Sequence, residues 1–168
     1  MPFSTYTLLK EYTVTGSAVS SFNFLNIPQT YTDLRLHIFA SQGGSFTIYP
    51  NNDQTGNKSR TNLYVNSATP NGSSGGASGN AGLYVDISST SSYPGVTTVE
   101  MMSYTQTDKY KTFGWRWSSG ESGLASNGFW VANWQSKSAI SSLYCVSDTG
   151  GNILNVGSTW KLYGIKRA

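Results

Sequence analysis

The sequence predicts an all-β protein, an antiparallel, jelly-roll-like β-sandwich that spans residues 1–168 as a single domain. Three observations predict it. Apolar and polar side chains alternate with a period of two along most of the chain, and helical periodicity is hard to find. Turn formers divide the chain into nine to eleven short runs at the spacing of a sandwich or closed barrel. No repeat of fixed period is present, which disfavours propellers and solenoids.

The elements follow in order. Residues 6–14 read as a first strand, ended by Gly16. Residues 18–24 alternate, with Phe22 and Phe24 on one face and Ser21 and Asn23 on the other. Residues 26–30 form a bend, because Pro28 has no N–H for a ladder. The strongest strand is Asp33–Ala40: Leu34, Leu36 and Ile38 point one way, Arg35, His37 and Phe39 the other. Gly43 and Gly44 turn the chain into a strand over 45–49, and 51–57 is a polar loop rich in turn formers. A short strand over 62–65 precedes a flexible Gly/Ser-rich loop at 67–79. Strand patterns resume over 82–87. Residues 96–104 and 109–117 are expected to pair around the turn at 105–108. Strands over 128–134, 139–146 and 158–165 complete the set, with a turn at 148–152.

Composition narrows the function. Only 11% of residues are charged, less than half the usual share, so Ser, Thr, Asn, Gln and Gly must build the surface. Such a surface repels weakly and suits a part that packs against copies of itself or a larger assembly. The net charge of +3 comes without a basic run, which gives nucleic-acid binding no support. The lone Cys145 lies in an apolar strand pattern and reads as a small buried hydrophobe. The N-terminal residues lack the pattern of a secretory signal, and no apolar run is long enough to span a bilayer. The expected partners therefore include neither nucleic acid nor membrane.

Reactive chemistry finds no foothold, and no catalytic residue, metal ligand or cofactor is expected. His37 sits mid-strand, and no Gly-x-Ser-x-Gly elbow accompanies it. The carboxylates are scattered and no pair stands out. No Cys/His set fits zinc. The 51–57 loop looks like a calcium loop at a glance, but its one carboxylate is Asp53, and turn formation explains it better. The glycines of 73–79 lack the Lys-Ser/Thr ending of a phosphate loop. Aromatic residues are the remaining candidates. Trp115 and Trp117 share one strand face, and Trp130 and Trp134 share another with Ala132 between them. These four either fill the core or form a platform for a partner surface or a sugar ring.

Two segments carry a resemblance. Residues 24–36, FLNIPQTYTDLRL, resemble the IP-x-x-Y-T-D-L segment of small structural domains in tailed-bacteriophage virion proteins. Residues 157–166, GSTWKLYGIK, are similar to their closing G-S-x-x-x-L-Y-G-I strand. Residues 46–53, FTIYPNND, and 139–143, AISSL, are similar to an inner strand with its Asn/Asp-rich turn and to the penultimate strand. The resemblance implies a β-sandwich virion part with no catalytic residues, made in the host cytoplasm and commonly a homotrimer. Such domains occur in capsid decoration (cement), tail-fibre and baseplate proteins, and the expectation here is a capsid decoration protein that binds the major capsid protein or another virion protein and stabilises the shell. The short lead before the first strand favours this over a fibre. The alternatives are a tail-fibre or baseplate component and a receptor-recognition module that binds host surface glycan.

Overall fold

Twelve strands run through the residues that the computed structural model describes, which are 5–40, 45–66, 69–75, 83–85, 94–121, 124–147 and 154–166. They are β1 (Tyr6–Thr13), β2 (Ser21–Phe24), β3 (Asp33–Ala40), β4 (Phe46–Pro50), β5 (Lys58–Asn66) and β6 (Thr69–Gly75). There follow β7 (Leu83–Val85), β8 (Gly95–Met101), β9 (Lys111–Glu121), β10 (Leu124–Trp134), β11 (Leu143–Ser147) and β12 (Thr159–Ile165). None of the described residues forms a helix long and apolar enough to cross a membrane.

The strands make two antiparallel sheets packed as a sandwich. One has eight strands in the order β1-β12-β3-β8-β9-β10-β5-β6, the other four in the order β2-β11-β4-β7. The chain alternates between them: β1, β3, β8 and β12 lie in the large sheet, and β2, β4, β7 and β11 in the small one. The pairs β5–β6 and β9–β10 extend the large sheet past β8. The expectation of a single all-β sandwich is met.

Register explains the core. In the large sheet the pairings align Leu162, Leu36, Val99, Trp115 and Trp130 in one row across five strands. All five are buried. In the small sheet Phe22, Cys145, Ile48 and Leu83 form a matching row. A period of two puts each row on one side of its sheet, and the two inner faces meet. Each fully buried large apolar side chain contributes about 2 kcal/mol from the area removed from water. Cys145 is in this core, and burial pushes its thiol well above the ordinary range.

The two segments 24–36 and 157–166 meet in space. All of β12 pairs with β3, from Thr159 opposite Phe39 to Ile165 opposite Asp33, and Thr32 N–H donates to the Ile165 carbonyl at 2.8 Å. The Tyr31 ring lies over Gly164, where a Cβ would stand 2.5 Å from the ring's Cγ. The Tyr104 hydroxyl donates to the Pro28 carbonyl, and Gln29 Nε2 donates to the Ile140 carbonyl at 2.9 Å. The motif residues are thus joints of the scaffold. Gly164→Ala is expected to destabilise the protein by about 1–3 kcal/mol, because a well-packed ring must move. Urea unfolding reads this, and a Tyr31→Ala background should remove most of the penalty.

Several boundaries differ from the sequence expectation. The stretch predicted as a flexible loop at 67–79 pairs as β6 over Thr69–Gly75, and the remainder of it lies outside the described residues. Backbone hydrogen bonds make this strand, so composition did not announce it. Gly72 permits the close approach, since a Cβ there would sit 3.2 Å from Leu63 Cδ2. β5 starts at Lys58 and β11 only at Leu143. The turn predicted at 148–152 lies outside the described residues.

Candidate contact surface on the large sheet

The four tryptophans singled out by the sequence prove to be core. Trp115, Trp117, Trp130 and Trp134 are between 1% and 8% exposed, which corrects the reading of a stacking platform. The β9–β10 register aligns Trp115 with Trp130 and puts Trp117 opposite Gly128, all in the inward phase of the alternation. The Trp115 and Trp130 rings stack at 5.6 Å with 14° between planes. No ring face this enclosed is free to receive a sugar. The indole N–H groups of Trp115, Trp117 and Trp130 have no hydrogen-bond partner among the described residues, whereas that of Trp134 donates to Asp53 Oδ2 at 2.7 Å.

That bond leads to a polar cluster the sequence did not reveal. Asn51 and Asn52 both adopt left-handed φ, and Asp53 N–H closes the turn onto the Pro50 carbonyl at 2.9 Å. Asn51 then clamps the segment leading into β11: its Nδ2 donates to the Ala139 carbonyl at 2.8 Å and its Oδ1 accepts from Ser141 N–H at 2.8 Å. Asp53 accepts from Thr55 N–H, the Thr55 hydroxyl, Asn57 Nδ2 and Trp134 Nε1. Burial pushes this carboxyl up, but the hydrogen bonds from Thr55, Trp134 and Asn57 outweigh it and hold the group well below the usual carboxylate range.

The oxygen-rich loop encloses a cation of its own. Lys58 is buried, and its Nζ donates to the carbonyls of Asp53 at 2.7 Å and Thr55 at 3.0 Å and to Asn57 Oδ1 at 3.1 Å. Three acceptors match the three donors of an ammonium group. Lys111, also buried, donates to the carbonyls of Gln106, Lys109 and Lys137. Register sets these lysines on either side of Trp134. Burial lowers the pKa of both, opposed by Asp53 at Lys58 and by Asp108 at Lys111. Among the described residues no group of His, Cys, Asp and Glu side chains is arranged to hold a metal. The cluster is scaffold chemistry, and its groups are committed to one another.

The outward phase of the same strands is different. Phe129 and Val131 alternate with the buried tryptophans of β10 and are exposed, as are Leu63, Val96 and Phe39 on neighbouring strands. The register aligns His37, Thr98, Arg116, Phe129 and Leu63 in one row across the outer face. The adjacent row runs through Phe39, Val96, Ser118, Asn127 and Val65. Between the two rows over β9, β10 and β5 lies a hollow of about 510 Å³. Arg116, Phe129 and Leu63 wall one side of it, and Asn127 and Val65 the other. Its floor is the backbone of the inward-facing row at Gly128.

Towards β12 and β1 the outer face becomes polar and internally paired. Arg35 donates to Glu100 at 2.6 Å and lies over the Tyr6 ring, and Lys161 sits 3.3 Å from Glu11. His37 meets the Tyr163 ring edge-on at 5.4 Å, and burial followed by the Arg35 charge lowers its pKa. A sequence signal for this surface existed: once Trp130 and Trp134 face inward, Phe129 and Val131 must face out. No protein-family model, no curated protein and no solved structure matches this chain.

Proposed function

We propose that this chain is a non-catalytic virion structural protein of a tailed bacteriophage, a capsid decoration protein that binds and stabilises the assembled shell. The observation that carries the reading is the outer face of the large sheet, where exposed apolar side chains stand among uncharged polar ones. A face of that kind is suited to adhesion. The resemblance of residues 24–36 and 157–166 supplies the virion context, and their meeting at β3 and β12 fits a domain signature. The strand orders β1-β12-β3-β8 and β2-β11-β4-β7 support a jelly-roll reading, with β5–β6 and β9–β10 as additions to one sheet.

A non-catalytic role is supported by how four of the described carboxylates are used. Glu100 and Glu11 are in ion pairs, Asp53 carries four hydrogen bonds, and Asp33 accepts from Ser103 N–H at 2.7 Å. The glycan-binding alternative rested on exposed tryptophans and loses that support. We read the working state as a homotrimer seated on the shell. Co-sedimentation with purified expanded capsids tests the proposal, and the expected result is saturable binding at a fixed ratio to the capsid protein. Binding confined to tail tips in negative-stain images would replace it with the fibre or baseplate reading. Absence of binding to any particle would sink both.

A further inference from the structure

The geometry points to the occupant of the hollow on β9, β10 and β5: an extended segment of a different, acidic protein, apolar on both sides of one carboxylate. The inference rests on the assembly reading above and names the chemistry of its contact. Leu63 is 67% exposed and Phe129 47%, large fractions for apolar side chains lining one depression. Arg116 stands in the same wall, exposed, and no acceptor among the described residues pairs with it. Elsewhere on this face the cations Arg35 and Lys161 each have a carboxylate of their own. Arg116 is thus a guanidinium held at an apolar contact without a counter-charge among the described residues, and a buried contact would demand one.

Shape and charge then choose the partner. The hollow crosses three strands, about 10 Å at the usual strand separation, which is the length of three extended residues. Apolar surface continues beyond it to Val131 on the same strand, farther than a small acid would cover. Among the described side chains, a second copy of this chain offers little to supply the carboxylate. Glu11, Asp53 and Glu100 are in ion pairs and Asp33 is buried. Among the residues whose side chains are described, that leaves Asp108, in the β8–β9 connection, as the exposed carboxylate outside an ion pair. The chain carries +3 overall, so an acidic partner is also the one that long-range attraction favours.

The test uses the full chain labelled with nitrogen-15 and two blocked heptapeptides. One has a central glutamate flanked by valines and leucines, and the other has lysine in its place. The expected result is saturable binding of the glutamate peptide, with amide shifts confined to β5, β9 and β10. The lysine peptide should bind about tenfold or more weakly, and Arg116→Glu should reverse that order. The Arg116 side chain is exposed, so the variant's spectrum away from the hollow should match wild type. Equal binding of the two peptides, shifts on another surface, or no shifts at all would overturn the inference. So would self-association that Phe129→Ser abolishes, since the occupant would then be a second copy. Capsid sedimentation is read separately. Pelleting without peptide binding removes the hollow and keeps the virion reading; peptide binding without pelleting does the reverse.

Discussion

Replacing Trp115 by alanine is expected to cost about 3–5 kcal/mol of stability, a large part of the 5–15 kcal/mol that holds a typical domain together. Trp115 is 1% exposed and sits between Val99 and Trp130 in the buried row. Truncation removes the indole's buried area and its stacking on Trp130, and leaves a hole that an eight-stranded sheet cannot close by local collapse. Its N–H has no partner among the described residues, so no hydrogen bond is lost with it. The cost is therefore one of packing, and Trp115→Phe should restore more than half. Urea unfolding followed by circular dichroism measures both. A loss below about 1 kcal/mol for Trp115→Ala would mean that the ring is not enclosed as described.

Much of the fold was legible because its dominant signal is local. Alternation assigned Leu34, Leu36 and Ile38 to one face of β3, and register carries the same phase through Val99 and Trp115. β6 was not legible. Its Thr-Pro-Asn-Gly-Ser-Ser-Gly run has no apolar face, and it is a strand because β5 offers it a ladder. The phase of the tryptophans was undetermined for a related reason. In β10 both faces carry large apolar groups, Trp130 and Trp134 on one and Phe129 and Val131 on the other. Periodicity gives two faces but does not say which one the second sheet covers. That choice depends on β9 aligning Trp115 with Trp130, a tertiary fact. The buried lysines were illegible too, since each donates to carbonyls whose positions depend on turns at 51–57 and 102–110.

The second large effect belongs to the loop that looked like a cation site. Asp53→Ala is expected to cost about 3 kcal/mol, because Trp134 N–H and Asn57 Nδ2 lose their acceptor inside the fold and Lys58 loses its nearest carboxylate, 4.0 Å away. Lys58→Met should be destabilising as well, since it leaves the carbonyls of Asp53 and Thr55 without a donor. The two residues organise one loop, so the double variant should cost less than the sum of the singles. Acidity supplies an independent check. The Asp53 carboxyl has a folded pKa below its unfolded one, so its contribution is present above the ordinary value of about 3.9. It is lost as the pH falls through the folded value. The stability gap between wild type and Asp53→Ala, measured by urea unfolding, should therefore be widest near neutrality and shrink as the pH drops below about 4. A gap that stays constant across that range, or single-variant effects that simply add, would show that the carboxylate does not hold the loop around its internal ammonium.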